Sequence, residues 1–548
     1  MKYTYVLNTR KTPQSEPIPG TNQVQNLAGG FAWAVSDWTR LNRFLILGSE
    51  GATYYASEKK LTRENAEAVL RCIQADGERV VREIVAVSDA GRAPKNDPAL
   101  FALAMCAGLG DEATRKAALN ALPSVARTGT FLFHFAEYIE SFRGWGRGLR
   151  QAVGNWYDKM PTSQLALQVV KYRQRDKWTH RDLLRLAHPK TDDPTRNALY
   201  HWIVNGWESV GETPHPDADL RTLWAFERVQ KAGNAAEAAR IVRDYNLPME
   251  TVPSELRGRE VWEAVLPHAG LTFLIRNLGN LSKHGIIAAG SPTETAAIAA
   301  RISDGAALKR ARVHPIQVLA ALTTYKAGRG AKGSGQWEVA PAIVDALDAA
   351  FYASFGNVEP AGKRWVLALD VSGSMAGGEI AGVPGLTPRV GSAAMAMVTY
   401  RAEPAVSLVA FTAGTGGMGG QWGGGQSGMT PLTISRKQRL DDVVAAVSAL
   451  PMGGTDCALP MLWAMKNKVE ADVFVVYTDN ETWAGNVHPV QALRQYREKT
   501  GIPARLIVVG MTSGGFTIAD PNDAGMLDIA GFDTAAPEIM RQFAAGTV

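Results

Sequence analysis

The sequence predicts two units of different class, an α-helical-repeat array followed by an α/β domain with a doubly wound sheet. Two changes carry this reading. Up to about residue 360 apolar side chains recur at helical spacing between short polar breaks, and beyond it short strand-like runs alternate with helical ones. Charge changes at the same place. Residues 361–548 hold 14 Lys+Arg and 16 Asp+Glu, which leaves residues 1–360 with 44 of the chain's 58 basic and 37 of its 53 acidic residues. The boundary that follows separates a helical unit over 1–361 from an α/β unit over 362–548.

Each element can be justified in order. Runs at 61–87, 100–107, 112–122, 131–142, 164–174, 181–187, 236–245, 292–302 and 316–325 fit helical spacing better than alternation. No fixed repeat recurs, but serial helices of similar length suggest an array in which each pair packs on its neighbour and the whole curves around a concave surface. Spacing alone leaves an ordinary globular helical domain as the alternative. In the second unit, strands are expected at 366–370, 407–411, 473–477 and 505–509, with helices at 392–401, 437–450, 458–466 and 490–499. Strands alternating with helices build a sheet covered on both faces.

The most informative motif is Asp370-Val-Ser-Gly-Ser374, at the end of the apolar run Trp365-Val-Leu-Ala-Leu369. A buried parallel strand there delivers a carboxylate and two hydroxyls to its C-terminal end, where open α/β sheets bind ligands. Gly453-Gly-Thr455-Asp456 and Thr478-Asp479 follow in two later loops. All of these donors are oxygens, with no Cys or His in the motif, and that chemistry suits Mg²⁺ better than a softer ion. The order D-x-S-x-S, then Thr, then Asp resembles the metal-ion-dependent adhesion site of a von Willebrand factor A domain. The resemblance assigns Asp370, Ser372, Ser374, Thr455 and Asp479 as metal ligands. A metal-dependent hydrolase is disfavoured: Ser372 stands where phosphotransfer sites place a second carboxylate, and Glu481 is the one nearby candidate base.

Composition excludes several classes. With 46% hydrophobic and 20% charged residues, the chain has material for real cores and is not disordered. The start, Met1-Lys-Tyr-Thr-Tyr-Val-Leu-Asn-Thr-Arg10, lacks the apolar core of a secretory signal, and no apolar stretch is long enough to span a bilayer, so a cytoplasmic protein is expected. Cys72, Cys106 and Cys457 are odd in number and far apart, which reads as reduced packing residues. Residues 412–430 are glycine-rich and uncharged, a surface loop without a phosphate role. Gly328-Arg-Gly330-Ala-Lys-Gly333 matches G-x-G-x-x-G but follows a helical run rather than a strand, so it reads as a basic loop. His134 reads as a core histidine, and His488-Pro489 as a loop before a helix.

The basic excess concentrates in 141–190, with 11 Lys+Arg against 3 acidic residues. On a helix over 164–174, Gln168, Lys171 and Arg175 share one side, opposite an apolar stripe of Leu165, Val169 and Tyr172. A capping box, Thr179-His180-Arg181-Asp182, opens a second helix that presents Arg181, Arg185 and His188. Arg147, Arg150, Trp145 and Trp156 lie just upstream. Clustered cations with planar side chains suit phosphate neutralisation and base stacking, and a solvated basic face is the competing reading.

Lys171-Tyr-Arg-Gln-Arg175 followed by Trp178-Thr-His-Arg-Asp-Leu-Leu-Arg-Leu-Ala-His188 resembles the signature of the Ro autoantigen, or TROVE-domain, family. Asp37-Trp-Thr-Arg-Leu-Asn-Arg-Phe44, Gly48-Ser-Glu-Gly-Ala-Thr-Tyr-Tyr55, Gly454-Thr-Asp-Cys-Ala-Leu-Pro460, Thr478-Asp-Asn-Glu-Thr-Trp483 and Gly515-Phe-Thr-Ile-Ala-Asp-Pro521 extend the resemblance over nearly the whole chain. It implies a ring of HEAT-like helical repeats closed by a von Willebrand factor A domain. It also implies a monomeric, noncatalytic protein that binds small noncoding Y RNAs on its outer surface. Misfolded RNAs would pass a single-stranded end into the ring in RNA quality control, and an exoribonuclease of the polynucleotide phosphorylase kind would be recruited through the Y RNA. Lys171, Arg175 and His188 fall on family positions associated with RNA, within a candidate set of Arg147, Arg150, Lys171, Arg173, Arg175, His180, Arg185 and His188. The glycine-rich 412–430 segment is longer than usual for the family. The alternative function is a protein-interaction scaffold whose metal captures a partner carboxylate.

Overall fold

Short polar residues start the helices by accepting hydrogen bonds from first-turn amides: Ser36 from Thr39, Ser57 from Lys60, Asp111 from Thr114 and Thr128 from Phe131. The computed structural model describes residues 11–49, 53, 56–208, 210–211, 213–330, 335–356, 358–413 and 428–547. Within them a helical array runs from Asp37–Leu47 to Pro341–Ala353. The long run at 61–87 is two helices rather than one. Asp76 leaves the helical region (φ −160°, ψ 84°) inside Glu58–Asp89, and its carboxylate caps Arg79 N at 2.9 Å.

The array closes on itself. Arg312 donates to Asp89 at 2.8 Å, His314 Nε2 meets the Arg92 carbonyl at 3.1 Å and Gln317 donates to the Pro94 carbonyl at 3.0 Å. Its late helices therefore rest on its early ones. Residues 414–427, most of the glycine-rich stretch, and 331–334 of the G-x-G-x-x-G string lie outside the described residues.

One expected helix stops early. Thr162–Lys171 ends at Lys171, and the chain turns into a hairpin. Strands in chain order are β1 (Val24–Gln25), β2 (Phe31–Ala34), β3 (Gln174–Arg175), β4 (Trp178–Thr179), β5 (Arg364–Asp370), β6 (Ala405–Phe411), β7 (Met429–Pro431), β8 (Val473–Thr478), β9 (Arg505–Gly510), β10 (Phe516–Thr517) and β11 (Met526–Ala530). β3 pairs antiparallel with β4 across Asp176 and Lys177, both left-handed (φ 50° and 68°), the combination a two-residue hairpin turn requires. Helical spacing therefore does not place Arg175 beside Lys171. Asp176 bonds His134 Nδ1, which ties the hairpin to helix Gly129–Glu140.

In the α/β unit the sheet order is β11-β9-β8-β5-β6-β7, all parallel except the edge strand β7. β7 and β11 were not anticipated from the sequence. Alternation along β5 assigns the two faces. Trp365, Leu367 and Leu369 join the core shared with helix Pro388–Ala402 and the helical array, whereas Val366 and Ala368 join Met461 and Leu493 on the other side. Chain order reverses between β5 and β8, which opens a crevice at their C-terminal ends.

The 361/362 boundary falls between helix Pro341–Ala353 and β5, but the first described segment packs on the α/β unit. β2 pairs with β10, and Thr12 N donates to Gln491 Oε1 at 3.1 Å. Buried Arg43 joins the two units at another point, donating to Asp528 at 2.5 Å and to the Gly514 and Phe516 carbonyls at 2.8 and 2.9 Å. No helix among the described residues is long and apolar enough to cross a membrane.

Candidate nucleic-acid interface and metal centre

Three loops build the crevice, and backbone hydrogen bonds join them. Gly373 N donates to the Gly453 carbonyl at 3.1 Å, and Trp483 N and Ala484 N donate to the Thr455 carbonyl at 3.1 and 3.0 Å. Asp370 is fully buried and accepts from Ser372 N at 2.9 Å and from Thr478 Oγ1 at 2.7 Å. Ser372 and Ser374 hydroxyls lie 3.2 Å apart, Asp479 accepts from Glu481 N at 3.1 Å, and Thr455 is buried. The three loops that carry the five residues singled out by their spacing are thus held together at the C-terminal ends of β5 and β8.

Its electrostatics favour a cation. Burial, then the neighbouring Asp479, pushes the Asp370 carboxyl up to about 7, and burial raises Asp479 as well. Among the described residues no Lys or Arg pairs with either carboxylate. Arg389 acts on Asp370 only through its charge, its Nη1 and Nη2 donating to the Ser448, Leu450 and Val371 carbonyls. Two like charges in a dry pocket with hydroxyls between them match the donor chemistry of a hard divalent ion. Asp456, adjacent to Thr455, accepts from Gln14 Nε2 and Ala458 N at 2.7 and 3.0 Å, both through Oδ1.

Sequence reasoning missed the N-terminal arm that walls this crevice. Gln14 also reaches the Val487 carbonyl and accepts from Thr482 Oγ1; Asn26 donates to the Thr482 carbonyl at 2.8 Å and Ala28 N to Glu481 at 3.1 Å. At Gly30 a Cβ would sit 2.0 Å from the Thr482 carbonyl oxygen, so the arm approaches as closely as it does because that residue is glycine. No local signal announces contacts made over more than 400 positions.

The basic face is built by helix Arg147–Lys159, helix Thr162–Lys171, the β3–β4 hairpin and helix His180–Ala187. Arg147, Arg150, Arg173, Arg175, Lys177, Arg181, Arg185 and His188 are exposed and Lys171 is half-buried. Trp145 packs on Trp178 with ring centroids 5.4 Å apart, which brings the start of helix Arg147–Lys159 to the hairpin. Arg175 meets Asp176 at 3.6 Å. Arg185 shares a groove with Lys177 and Trp178, but also with Glu137 and Glu140.

His180 is placed differently from the others. Its side chain lies inside, with Nδ1 2.8 Å from Tyr157 Oη and the ring packed on Phe133, and burial depresses its pKa to about 3. It supports the face from beneath and offers no imidazolium to a phosphate. Trp156, read as a stacking residue, is likewise fully buried, its indole N–H bonded to the Ala126 carbonyl. The capping box at Thr179 and Asp182 forms as expected. The three cysteines are buried free thiols, Cys72 raised to about 11 and Cys106 to about 12 by burial, as inert packing residues should be.

A closed helical array bearing a cationic face, joined to an α/β domain with a three-loop oxygen-lined crevice, defines a two-part protein that unites a TROVE region with a von Willebrand factor A domain. Residues 364–544 match the Ro60 vWA domain, and residues 24–213 and 248–324 match the TROVE domain. The chain is 45% identical to RNA-binding protein RO60 of Deinococcus radiodurans over 99% of both chains. It is 35% identical to RNA-binding protein RO60 of Caenorhabditis elegans, over 98% of this chain and 92% of that one. The crystal structure of the Deinococcus radiodurans RO (RSR) protein superposes with a TM-score of 0.70 at 45% identity, covering 94% of this chain and all of that one. The chain belongs to the Ro60/TROVE family.

Proposed function

We propose that this chain is a noncatalytic RNA-binding protein that holds small structured Y-type RNAs on the basic face and takes single-stranded ends of misfolded RNAs in RNA quality control. One observation carries the reading. Arg147, Arg150, Lys171, Arg173, Lys177, Arg181, Arg185 and His188 converge on neighbouring elements, and among the described residues none has a carboxylate partner in an ion pair. Unpaired cations on a rigid helix–hairpin–helix scaffold suit phosphates spaced along a duplex, which are bound by shape without reading sequence. Relatives 45% and 35% identical bear the name RNA-binding protein. An exoribonuclease would then be recruited through the bound RNA.

The test is binding of a small hairpin RNA across a salt series. Lys171→Glu with Arg175→Glu should weaken binding at least ~10-fold and flatten the salt slope by about 2. Unchanged affinity and slope would remove the reading.

We further propose that Asp370, Ser372, Ser374, Thr455 and Asp479 hold Mg²⁺, whose open position captures a partner carboxylate. The crevice favours this over hydrolysis. Glu481, the nearby candidate base, is turned to the N-terminal arm, where it accepts from Ala28 N at 3.1 Å. Met452 and Trp483, 55% and 40% exposed, stand beside the crevice as apolar contacts for a protein. Capture of that partner should vanish with EDTA and in Asp370→Ala while RNA affinity stays unchanged.

A further inference from the structure

Glu137 and Glu140 carry the wrong sign for the basic face they stand on. They sit one turn apart on helix Gly129–Glu140 and line a groove of about 570 Å³ with Lys177 and Trp178 of the β3–β4 hairpin and Asp182 and Arg185 of helix His180–Ala187. Trp145 donates its indole N–H to Glu140 at 3.2 Å, so the cations that start helix Arg147–Lys159 lie to one side of the groove and Arg185 to the other. The groove therefore interrupts the track of positive charge.

Its charges are not cancelled by pairing. Asp182 is committed to the helix cap, where it accepts from Thr179 N and Oγ1 at 3.0 and 2.6 Å. Glu137, Glu140, Lys177 and Arg185 line the same walls, yet among the described residues none of the four is in an ion pair. A carboxylate that serves to neutralise a surface cation reaches it, as Asp37 reaches Arg71 at 2.7 Å. In the groove, a phosphate drawn in by Lys177 and Arg185 meets three carboxylates as well. Like charge set against like rejects the partner that brings it and costs nothing to a partner that avoids it.

We propose that Glu137 and Glu140 are specificity-determining residues of the basic face: they reject an RNA duplex laid across the groove and leave the face to an RNA whose stem ends beside it. A long uniform duplex carries phosphates at close, regular spacing, so every register places some of them in the groove, whereas a short stem can stop before it. The surrounding cations hold any RNA backbone, and the two carboxylates subtract affinity from continuous duplex alone. This inference rests on the RNA-binding reading.

The probes are a blunt RNA duplex of about 24 base pairs and a hairpin with a stem of about 8, each titrated across a salt series. Glu137→Gln with Glu140→Gln removes the charges and keeps the side-chain shapes, and its melting temperature should equal the parent's. The double variant should bind the long duplex at least ~10-fold more tightly at low salt, with a salt slope steeper by about 2 as Lys177 and Arg185 become free to neutralise phosphates. Its affinity for the hairpin should change less than ~2-fold. Adding Arg185→Gln should take back about half of the gained slope, which a merely structural role of the glutamates would not predict. Equal tightening of both RNAs would make the carboxylates a general charge effect, and no tightening of the duplex would mean that phosphates never reach the groove. Either result overturns the inference, while salt-dependent binding of the hairpin by the parent leaves the RNA reading standing. A parent that binds neither RNA ends both.

Discussion

Arg43 and Asp528 illustrate what a single pair can decide. Arg43 is buried and Asp528 mostly so at the junction of the two units, and the guanidinium also serves two carbonyls. Removing Arg43 leaves a mostly buried carboxylate without its cation and with Thr517 as its remaining donor, at a cost of about 2–4 kcal/mol. Arg43→Ala should therefore melt well below the parent in a thermal denaturation scan, and Arg43→Ala with Asp528→Leu should recover part of the loss. Asp370 carries the opposite expectation. Its charge is opposed by burial and by Asp479, so Asp370→Asn should leave the metal-free protein as stable as the parent or more so. Mg²⁺ should raise the parent's melting temperature and leave that of Asp370→Asn unmoved. The candidate ligands were legible in the sequence because each belongs to a short oxygen-bearing motif, two of them at strand ends and one in a loop before a helix. Gln14, which bonds Asp456 beside them, was not, since it arrives from 442 positions away.

At the level of elements, the hairpin between helices Thr162–Lys171 and His180–Ala187 is where local pattern and observed structure diverge. Gln164, Gln168, Lys171 and Arg175 are spaced as on one helix face, but nothing in that spacing registers a turn of two left-handed residues. Lys177 adopts φ 68° without being glycine, which costs about 1 kcal/mol. Lys177→Gly should stabilise the protein by about that amount in chemical denaturation and lower RNA affinity modestly through the lost charge. Helix starts were legible where a cap announces them, as at Thr179. The edge strand β7 and the last strand β11 were not, since three residues in one and an aspartate within the other break the apolar run by which buried strands are recognised.

For the whole molecule, closure of the array depends on contacts such as that between His314 and the Arg92 carbonyl. His314 is buried and its pKa is depressed to about 4 by burial. The unfolded chain takes up a proton near 6.5 and the folded one only near 4, so between these values acid favours unfolding. The neutral ring's contribution is intact above 6.5 and is lost as pH falls, by about 2 kcal/mol at pH 5. The buried carboxylates Asp370, Asp456 and Glu481, all raised, act in the opposite sense. The measurement is therefore a comparison. The drop in melting temperature from pH 7.5 to 5 should be smaller in His314→Gln than in the parent.

Taken by itself, the sequence determined the division into helical array and α/β domain, the positions of most helices and parallel strands, the oxygen-only motif and the concentration of cations in 141–190. These are local properties, set by periodicity, capping and composition over a few turns of chain. Only the tertiary structure decided which of those residues face outward. It put His180 and Trp156 inside, turned Arg175 onto a hairpin, brought the N-terminal arm over the crevice and closed the array through residues 89–94 and 312–317. Those outcomes depend on burial and on hydrogen bonds between positions hundreds of residues apart. Periodicity says which side of an element is apolar; what packs against that side is settled when the whole chain has found its partners.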